Sequence, residues 1–286
     1  MRLFGSVASA LLATGLIAGS GVLPASAHDR GSIDYVALGD SYAAGVGAPP
    51  DLDPKCGVSS LGYPGLLDER RRIDLEANRA CGGDTIVQVF AELDHLNAGT
   101  DLVTLTVGGN DVQYLNVILA CGQGAQICMQ TVDATLALAQ TDLGPGLAAL
   151  YANIRANAPY AKVVVTGYPH LFSPEFGATF TFPAVDPATG SPVLGPDRAP
   201  VILSLTPTEQ QILNEGTDIL NDIIRTRARA AGFTYVDVVD RFEGHGLGSP
   251  RPWIQPFADP AALHPNEKGY KKGYLPEVRR AINNNH

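Results

Sequence analysis

Basic side chains are scarce: 20 Lys and Arg stand against 29 Asp and Glu in 286 residues, a formal charge of −9. Nucleic-acid binding depends on clustered cations that neutralise phosphates, so this charge balance argues against that class of partner and against a polyanionic substrate. Neither G-x-G-x-x-G nor a P-loop occurs, which leaves nucleotide binding without its usual backbone cradle. The four cysteines include no C-x-x-C pair, so a zinc site has no support. Charged residues are few at 17%, but 45% of the chain is apolar, enough to bury a sizeable core and to exclude a disordered tail.

The first long apolar run is at the start. Arg2 is followed by no ionisable side chain from Leu3 to Ala27, and Ala25-Ser26-Ala27 places small residues where signal peptidase cuts. A run of this length could also span a bilayer. Gly5, Gly15, Gly19, Gly21 and Pro24 interrupt it and no basic stop-transfer cluster follows, which favours cleavage of residues 1–27 as a secretory signal. No other stretch is long and apolar enough to cross a membrane, so the expected product is exported and carries no stable membrane anchor. It would hold 259 residues from His28 onward, with a formal charge of −10. Cys56, Cys81, Cys121 and Cys128 all survive that cut, and an even count in an exported chain points to disulfides. Three pairings are possible; the Gly-bearing loop between Cys121 and Cys128 can close locally, which favours Cys121 with Cys128 and Cys56 with Cys81.

Along the remainder, β-rich runs at Ile33 to Leu38, Leu102 to Val107, Lys162 to Thr166 and Phe233 to Val239 alternate with segments of helical spacing. The helical segments are Thr85 to Leu96, Met129 to Asn157 with a break expected at Gly144-Pro145-Gly146, Pro207 to Ala231, and about Lys268 to Ile282. Such alternation predicts a parallel sheet covered on both faces. In such sheets the functional crevice lies beyond the carboxyl ends of the strands, so Gly39-Asp40-Ser41, Gly108 to Asp111 and Gly167 to Pro169 should meet at one rim. The segment at about 171–206 is rich in Pro, Gly and aromatics and breaks the pattern. It is read as an insertion, either a wall facing substrate or a plain surface excursion.

Ser41 sits in Gly39-Asp40-Ser41-Tyr42, directly after a buried strand and before a helix. There a hydroxyl can project into the crevice as a nucleophile, or Ser and Asp can simply cap the helix. The G-x-S-x-G elbow does not fit, because Ala43 occupies its last glycine position. A nucleophilic serine needs a base. Of six histidines, His264 in Leu263-His264-Pro265-Asn266 and His245 in Glu243-Gly244-His245-Gly246 are the loop-borne candidates.

Taken together, Gly39-Asp40-Ser41, Gly83-Asp84-Thr85, Gly109-Asn110-Asp111 and His264-Pro265-Asn266 resemble, in order and spacing, the four blocks of GDSL or SGNH hydrolases. The secreted actinobacterial lipases and esterases are the most similar branch, given the leader, the cysteines and Pro252-Trp253-Ile254. The resemblance implies a three-layer α/β/α sandwich around a mostly parallel five-stranded sheet, one hydrolase domain over 28–286. It implies Ser41 as nucleophile and His264 as general base. The oxyanion donors would be the N–H groups of Ser41 and Gly83 and the amide of Asn110. One position departs from the pattern: the acid usual three residues before the histidine is Ala261 here. Either Asp259 orients the imidazole or the backbone carbonyl of Ala261 does, and the carbonyl is favoured. The implied enzyme needs no metal or organic cofactor and takes a small-molecule or lipid ester, with fatty-acid esters ahead of acetyl or feruloyl esters of carbohydrates; the oligomeric state is not read from the sequence, and a monomer is the expectation. A non-catalytic exported binding protein, using Ser41 and Asn110 as hydrogen-bond donors, is the reading from another class.

Overall fold

Five short strands lie side by side in the computed structural model, which describes residues 31–69, 72–186, 189 and 191–284. The segment 1–27 read as a secretory signal lies outside the described residues. The strands are β1 Ile33–Gly39, β2 Ile73–Asn78, β3 Leu102–Thr106, β4 Lys162–Thr166 and β5 Thr234–Val236. Their order is β2-β1-β3-β4-β5, and every neighbouring pair is parallel. The chain therefore runs outward from β1 to β2, then returns across β1 to β3. That reversal opens a crevice at the carboxyl ends of β1 and β3.

Strand side chains alternate between faces, and here both faces are buried. Tyr35 and Ala37 of β1 point into one core with Leu66, Leu67, Val278 and Ala281, from helices Tyr63–Asp68 and Leu275–Asn283. Val36 and Leu38 point into the other, against helices Ile86–Glu92, Leu143–Asn157 and Pro207–Ala230. Two helical layers thus sandwich the sheet. The first core also contains hydroxyls that satisfy one another: Tyr35 with Thr104 at 2.6 Å, Tyr63 with Thr106 at 3.0 Å, and Thr106 with Thr166 at 2.7 Å. Buried polar groups so paired escape most of their desolvation cost.

Several boundaries differ from the sequence reading. Strand β2 was not among the β-rich runs, because an edge strand reading Ile-Asp-Leu-Glu-Ala-Asn is only half buried and carries exposed Asp74 and Glu76. The long helical segment begins at Ala125 and breaks at Asp142, not at Gly144-Pro145-Gly146. Those three residues fall in the first turn of helix Leu143–Asn157, where the missing N–H of Pro145 coincides with donors that a helix start leaves unpaired anyway. The C-terminal helix is α-helical over Leu275–Asn283 and π-helical over Gly269–Tyr274. The insertion contains an antiparallel hairpin, Phe180–Pro183 with Ile202–Leu205. Phe172, Phe180 and Phe182 gather around Phe257, which lies outside the insertion, with ring centroids 6.3, 5.8 and 4.5 Å from it, so these aromatics join the first core and form no core of their own. Disulfides join Cys56 to Cys81 and Cys121 to Cys128.

Candidate active site

The site begins with a glycine that no other residue could replace. Gly39 ends β1 at φ +124°, and a Cβ there would lie 2.1 Å from the carbonyl oxygen of Thr106 on the neighbouring strand. This close approach lets Asp40 donate its N–H to that same oxygen at 2.8 Å. Asp40 then caps the single turn Ser41–Ala44 by accepting the Tyr42 N–H at 2.9 Å. Ser41 occupies the first position of the turn, and its N–H has no partner among the described residues.

His264 arrives from the far end of the chain on a loop tied to the segment after Trp253. Gln255 donates its N–H to the His264 carbonyl at 2.8 Å, Leu263 donates to the Gln255 carbonyl at 3.0 Å, and Asn266 donates to the Trp253 carbonyl at 2.8 Å. The imidazole Nε2 stands 2.8 Å from Ser41 Oγ. Its Nδ1 faces the backbone carbonyls of Ala261 at 3.1 Å and Ala262 at 2.9 Å. Two acceptors at Nδ1 place the proton there and leave the Nε2 lone pair for the serine hydroxyl. Burial lowers the imidazole pKa below its ordinary 6.5, against the opposing pull of the two carbonyls, so the ring is neutral at pH 7. Asp259 does not occupy the orienting position: its Oδ1 accepts the Ala261 N–H at 2.8 Å and shapes the turn instead.

Two further loops complete the rim. Gly82 donates its N–H to the Cys56 carbonyl at 2.9 Å. Gly83, at φ +88°, has no partner for its N–H among the described residues. Both glycines line the pocket, and of their two N–H groups the one left unpaired is that of Gly83. Asn110 gives one amide hydrogen to the Asp84 carbonyl at 2.9 Å and keeps the second. Its neighbour Asp111 accepts the Ile86 N–H at 3.1 Å, joining the loop after β3 to the helix that follows Gly83.

Beneath these loops lie groups that the sequence did not single out. The Tyr168 hydroxyl accepts the Gly109 N–H at 2.9 Å and donates to Asp40 Oδ2, bracing the serine turn against the asparagine loop. Burial pushes the Asp40 carboxyl up to about 7, opposed by hydrogen bonds from Tyr168 and the Tyr42 N–H. Glu92 is buried, accepts the Gly39 N–H at 2.8 Å, and is pushed up to about 9 by burial first and by the adjacent Asp84 carboxylate. Tyr168 had a signal in its place on the strand tail Gly167 to Pro169; Glu92 had none. His245 is elsewhere, stacked on Trp253 with 3.7 Å between ring centroids and its Nδ1 on the Arg251 carbonyl at 2.9 Å.

In front of Ser41 opens a pocket of about 370 Å³, whose walls include Val46, Tyr114, Leu115, Pro169, Leu171 and Leu220. Of the insertion's apolar residues, Leu171 alone is among its walls. No group of three or more His, Cys, Asp and Glu among the described residues is placed to hold a metal ion. Ser41, Gly83, Asn110 and His264 thus line one pocket, with a hydroxyl beside an imidazole on its wall.

Residues 37–272 match the GDSL-like Lipase/Acylhydrolase family. A lipase of Streptomyces rimosus is 33% identical over 283 residues, covering 96% of this chain and 97% of its own length. Lipase 1 of Streptomyces coelicolor is 30% identical over 287 residues, 98% of each chain. Among solved structures, the extracellular lipase from Streptomyces rimosus superposes with a TM-score of 0.73 at 33% identity, over 87% of this chain and 100% of that one. Phospholipase A1 from Streptomyces albidoflavus superposes equally, with a TM-score of 0.73 at 30% identity over 87% and 99% of the two chains. With a matching fold, a matching order of blocks and relatives at this identity over nearly full length, the chain belongs to the GDSL-like lipase/acylhydrolase family and is a carboxylic ester hydrolase.

Proposed function

We propose that the protein is an exported serine lipase or esterase that cleaves carboxylic esters of fatty acids through an acyl-enzyme on Ser41. The observation that carries this reading is the 2.8 Å contact between Ser41 Oγ and His264 Nε2, set beside the N–H groups of Ser41 and Gly83 and the Asn110 amide. His264 takes the serine proton as Oγ attacks the ester carbonyl, and the new oxyanion rests among the three donors. Fixed donors of this kind are worth about 3 kcal/mol each, because they need no reorganisation as charge develops. The imidazolium then passes its proton to the leaving alcohol. Water repeats the attack on the acyl-enzyme, with His264 again the base, and the carboxylic acid departs.

Backbone carbonyls in place of a carboxylate make this a Ser-His dyad. They fix the tautomer and the ring plane, but they stabilise the imidazolium less than a buried anion would. The apolar walls of the pocket suit an acyl chain, and the phospholipase A1 and lipase relatives act on lipids by their names. Removal of residues 1–27 would release a mature chain beginning at His28, acting as a monomer.

The test is a series of p-nitrophenyl esters from acetyl to palmitoyl, with wild type and Ser41→Ala side by side. Loss of turnover in Ser41→Ala and a preference for longer acyl groups are expected. Full hydrolysis by folded Ser41→Ala would overturn the mechanism, and a strict preference for acetyl would overturn the fatty-acyl assignment. N-terminal sequencing of protein recovered from the medium should begin at His28; retention in the cell envelope would overturn export.

A further inference from the structure

The Nδ1 side of the His264 imidazole is held by backbone carbonyls, so its direction depends on the path of residues 261 to 264. Carbonyls 261 and 262 turn towards Nδ1. Carbonyl 263 accepts the Tyr42 hydroxyl at 2.7 Å. Leu263 stands between these groups at φ +69°, a left-handed conformation that a branched side chain holds only when its surroundings impose it.

What imposes it is a small set of contacts. Leu263 donates its N–H to the Gln255 carbonyl at 3.0 Å, and the Gln255 side chain donates to the Gly47 carbonyl at 2.7 Å. Apart from the Ser41 Oγ–His264 Nε2 contact itself, the Tyr42 bond is the hydrogen bond to residues 261 to 264 that starts on the serine's own turn. Tyr42 follows Ser41 directly, its N–H is fixed by Asp40 at 2.9 Å, and its ring packs edge-on against Tyr168 at 5.1 Å and lies 5.3 Å from the His264 ring. The element that carries the nucleophile thus grips the loop that carries the base.

We propose that the Tyr42 hydroxyl is a positioning group for His264, taking over through the Leu263 carbonyl the orienting task that an acid beside the histidine would perform; this rests on the Ser41-His264 mechanism above. The hydroxyl is suited to a constant donor role, because burial raises its pKa well above 10 and keeps it protonated throughout the working range. The ring itself lines the pocket, so the hydroxyl and the ring have separable consequences. Without the hydroxyl, Leu263 can relax towards ordinary backbone, and the two carbonyls lose their aim on Nδ1. Substrate still finds the same wall.

The experiment compares wild type, Tyr42→Phe and Tyr63→Phe, with turnover per folded molecule and the rate of fluorophosphonate labelling at Ser41. Tyr63 is a control in which a buried hydroxyl, paired with Thr106 at 3.0 Å, is deleted without touching the histidine loop. Tyr42→Phe should lower kcat and the labelling rate in parallel by about ten- to hundredfold, as a misaimed base does, while KM stays within about twofold. In NMR spectra the His264 Nδ1 proton, protected in wild type, should exchange rapidly in Tyr42→Phe and remain protected in Tyr63→Phe. The proposal is overturned if Tyr42→Phe retains wild-type kcat and labelling, or if Tyr63→Phe loses as much, since the effect would then be loss of packing. Absence of labelling in wild type would overturn the serine mechanism itself, an outcome separate from either.

Discussion

Raising the pH tests the buried acid beneath the catalytic turn. Glu92 ends the helix Ile86–Glu92, where the helix dipole disfavours an anion, and it sits against Gly39 and Asp84 with almost no exposure to water. Its carboxyl is pushed up to about 9 from an ordinary 4.5, so the folded protein keeps a proton on Glu92 that the unfolded chain has released. Below pH 4.5 both states hold that proton and burial carries no pH-dependent penalty. Above it, stability falls as pH rises, by about 1.4 kcal/mol per unit, until the folded state also ionises near 9. Between pH 5 and 8 this one group removes at most about 4 kcal/mol, a large share of an ordinary domain's stability. Glu92→Gln imitates the protonated acid, keeping an oxygen for the Gly39 N–H and carrying no charge, and should abolish that slope. Urea denaturation of both proteins at pH 5, 6, 7 and 8 and fixed ionic strength reads the difference directly. Asp40, raised to about 7, and the lowered His264 titrate in both proteins and drop out of the comparison to first order. Glu92→Gln should match wild type near pH 5 and exceed it by a margin that widens steadily to pH 8. A difference that stays constant across the series would refute a buried neutral acid at this position.

Three further outcomes follow from the same geometry. Asn110→Ala removes one of the donors proposed for the oxyanion and should lower kcat by about 10²–10³ with little change in KM; an unchanged kcat in a steady-state ester assay would remove Asn110 from the proposed site. Asp259→Asn keeps an oxygen for the Ala261 N–H, so hydrolysis should stay within about threefold of wild type, and a loss of several hundredfold would mean that its charge serves the histidine. Because burial lowers the His264 pKa, the acid limb of the kcat/KM profile should lie below pH 6.5, with activity rising as the ring loses its proton; a limb above that value would contradict a desolvated base.

The parts of the molecule that could be read from the sequence share a property: their signal is local. Buried parallel strands such as Leu102–Thr106 are continuous apolar or β-branched runs, and the turn residues at their ends announce a rim. The edge strand Ile73–Asn78 was silent because half its surface meets water and its composition follows. The break expected at Gly144-Pro145-Gly146 was misplaced because Pro disturbs a helix interior but not its first turn, and the sequence does not say which of the two it occupies. Ser41, Gly83, Asn110 and His264 are proposed as site residues because each lies in a short block whose order resembles the family's.

The supporting groups have no such block, since what defines each of them is a partner far away in the chain. Glu92 reaches Gly39 across 53 positions, Tyr168 reaches Asp40 across 128, and Tyr42 reaches Leu263 across 221. Read locally, Glu92 is a charged helical residue like its exposed neighbours and Tyr42 is an aromatic after a serine. The strand order, which seats β1 beside β2 and β3 with β4 next to β3, brings the first two pairs together, and the loop bonded back to Gln255 and Trp253 brings the third. The same fact bears on the proposed Ser-His dyad, in which Ala261 stands where the resemblance expects an acid. The proposed dyad, held by carbonyls, needs its loop fixed from outside, and beside the Ser41 contact itself the Tyr42 hydroxyl reaches that loop from the serine's own turn.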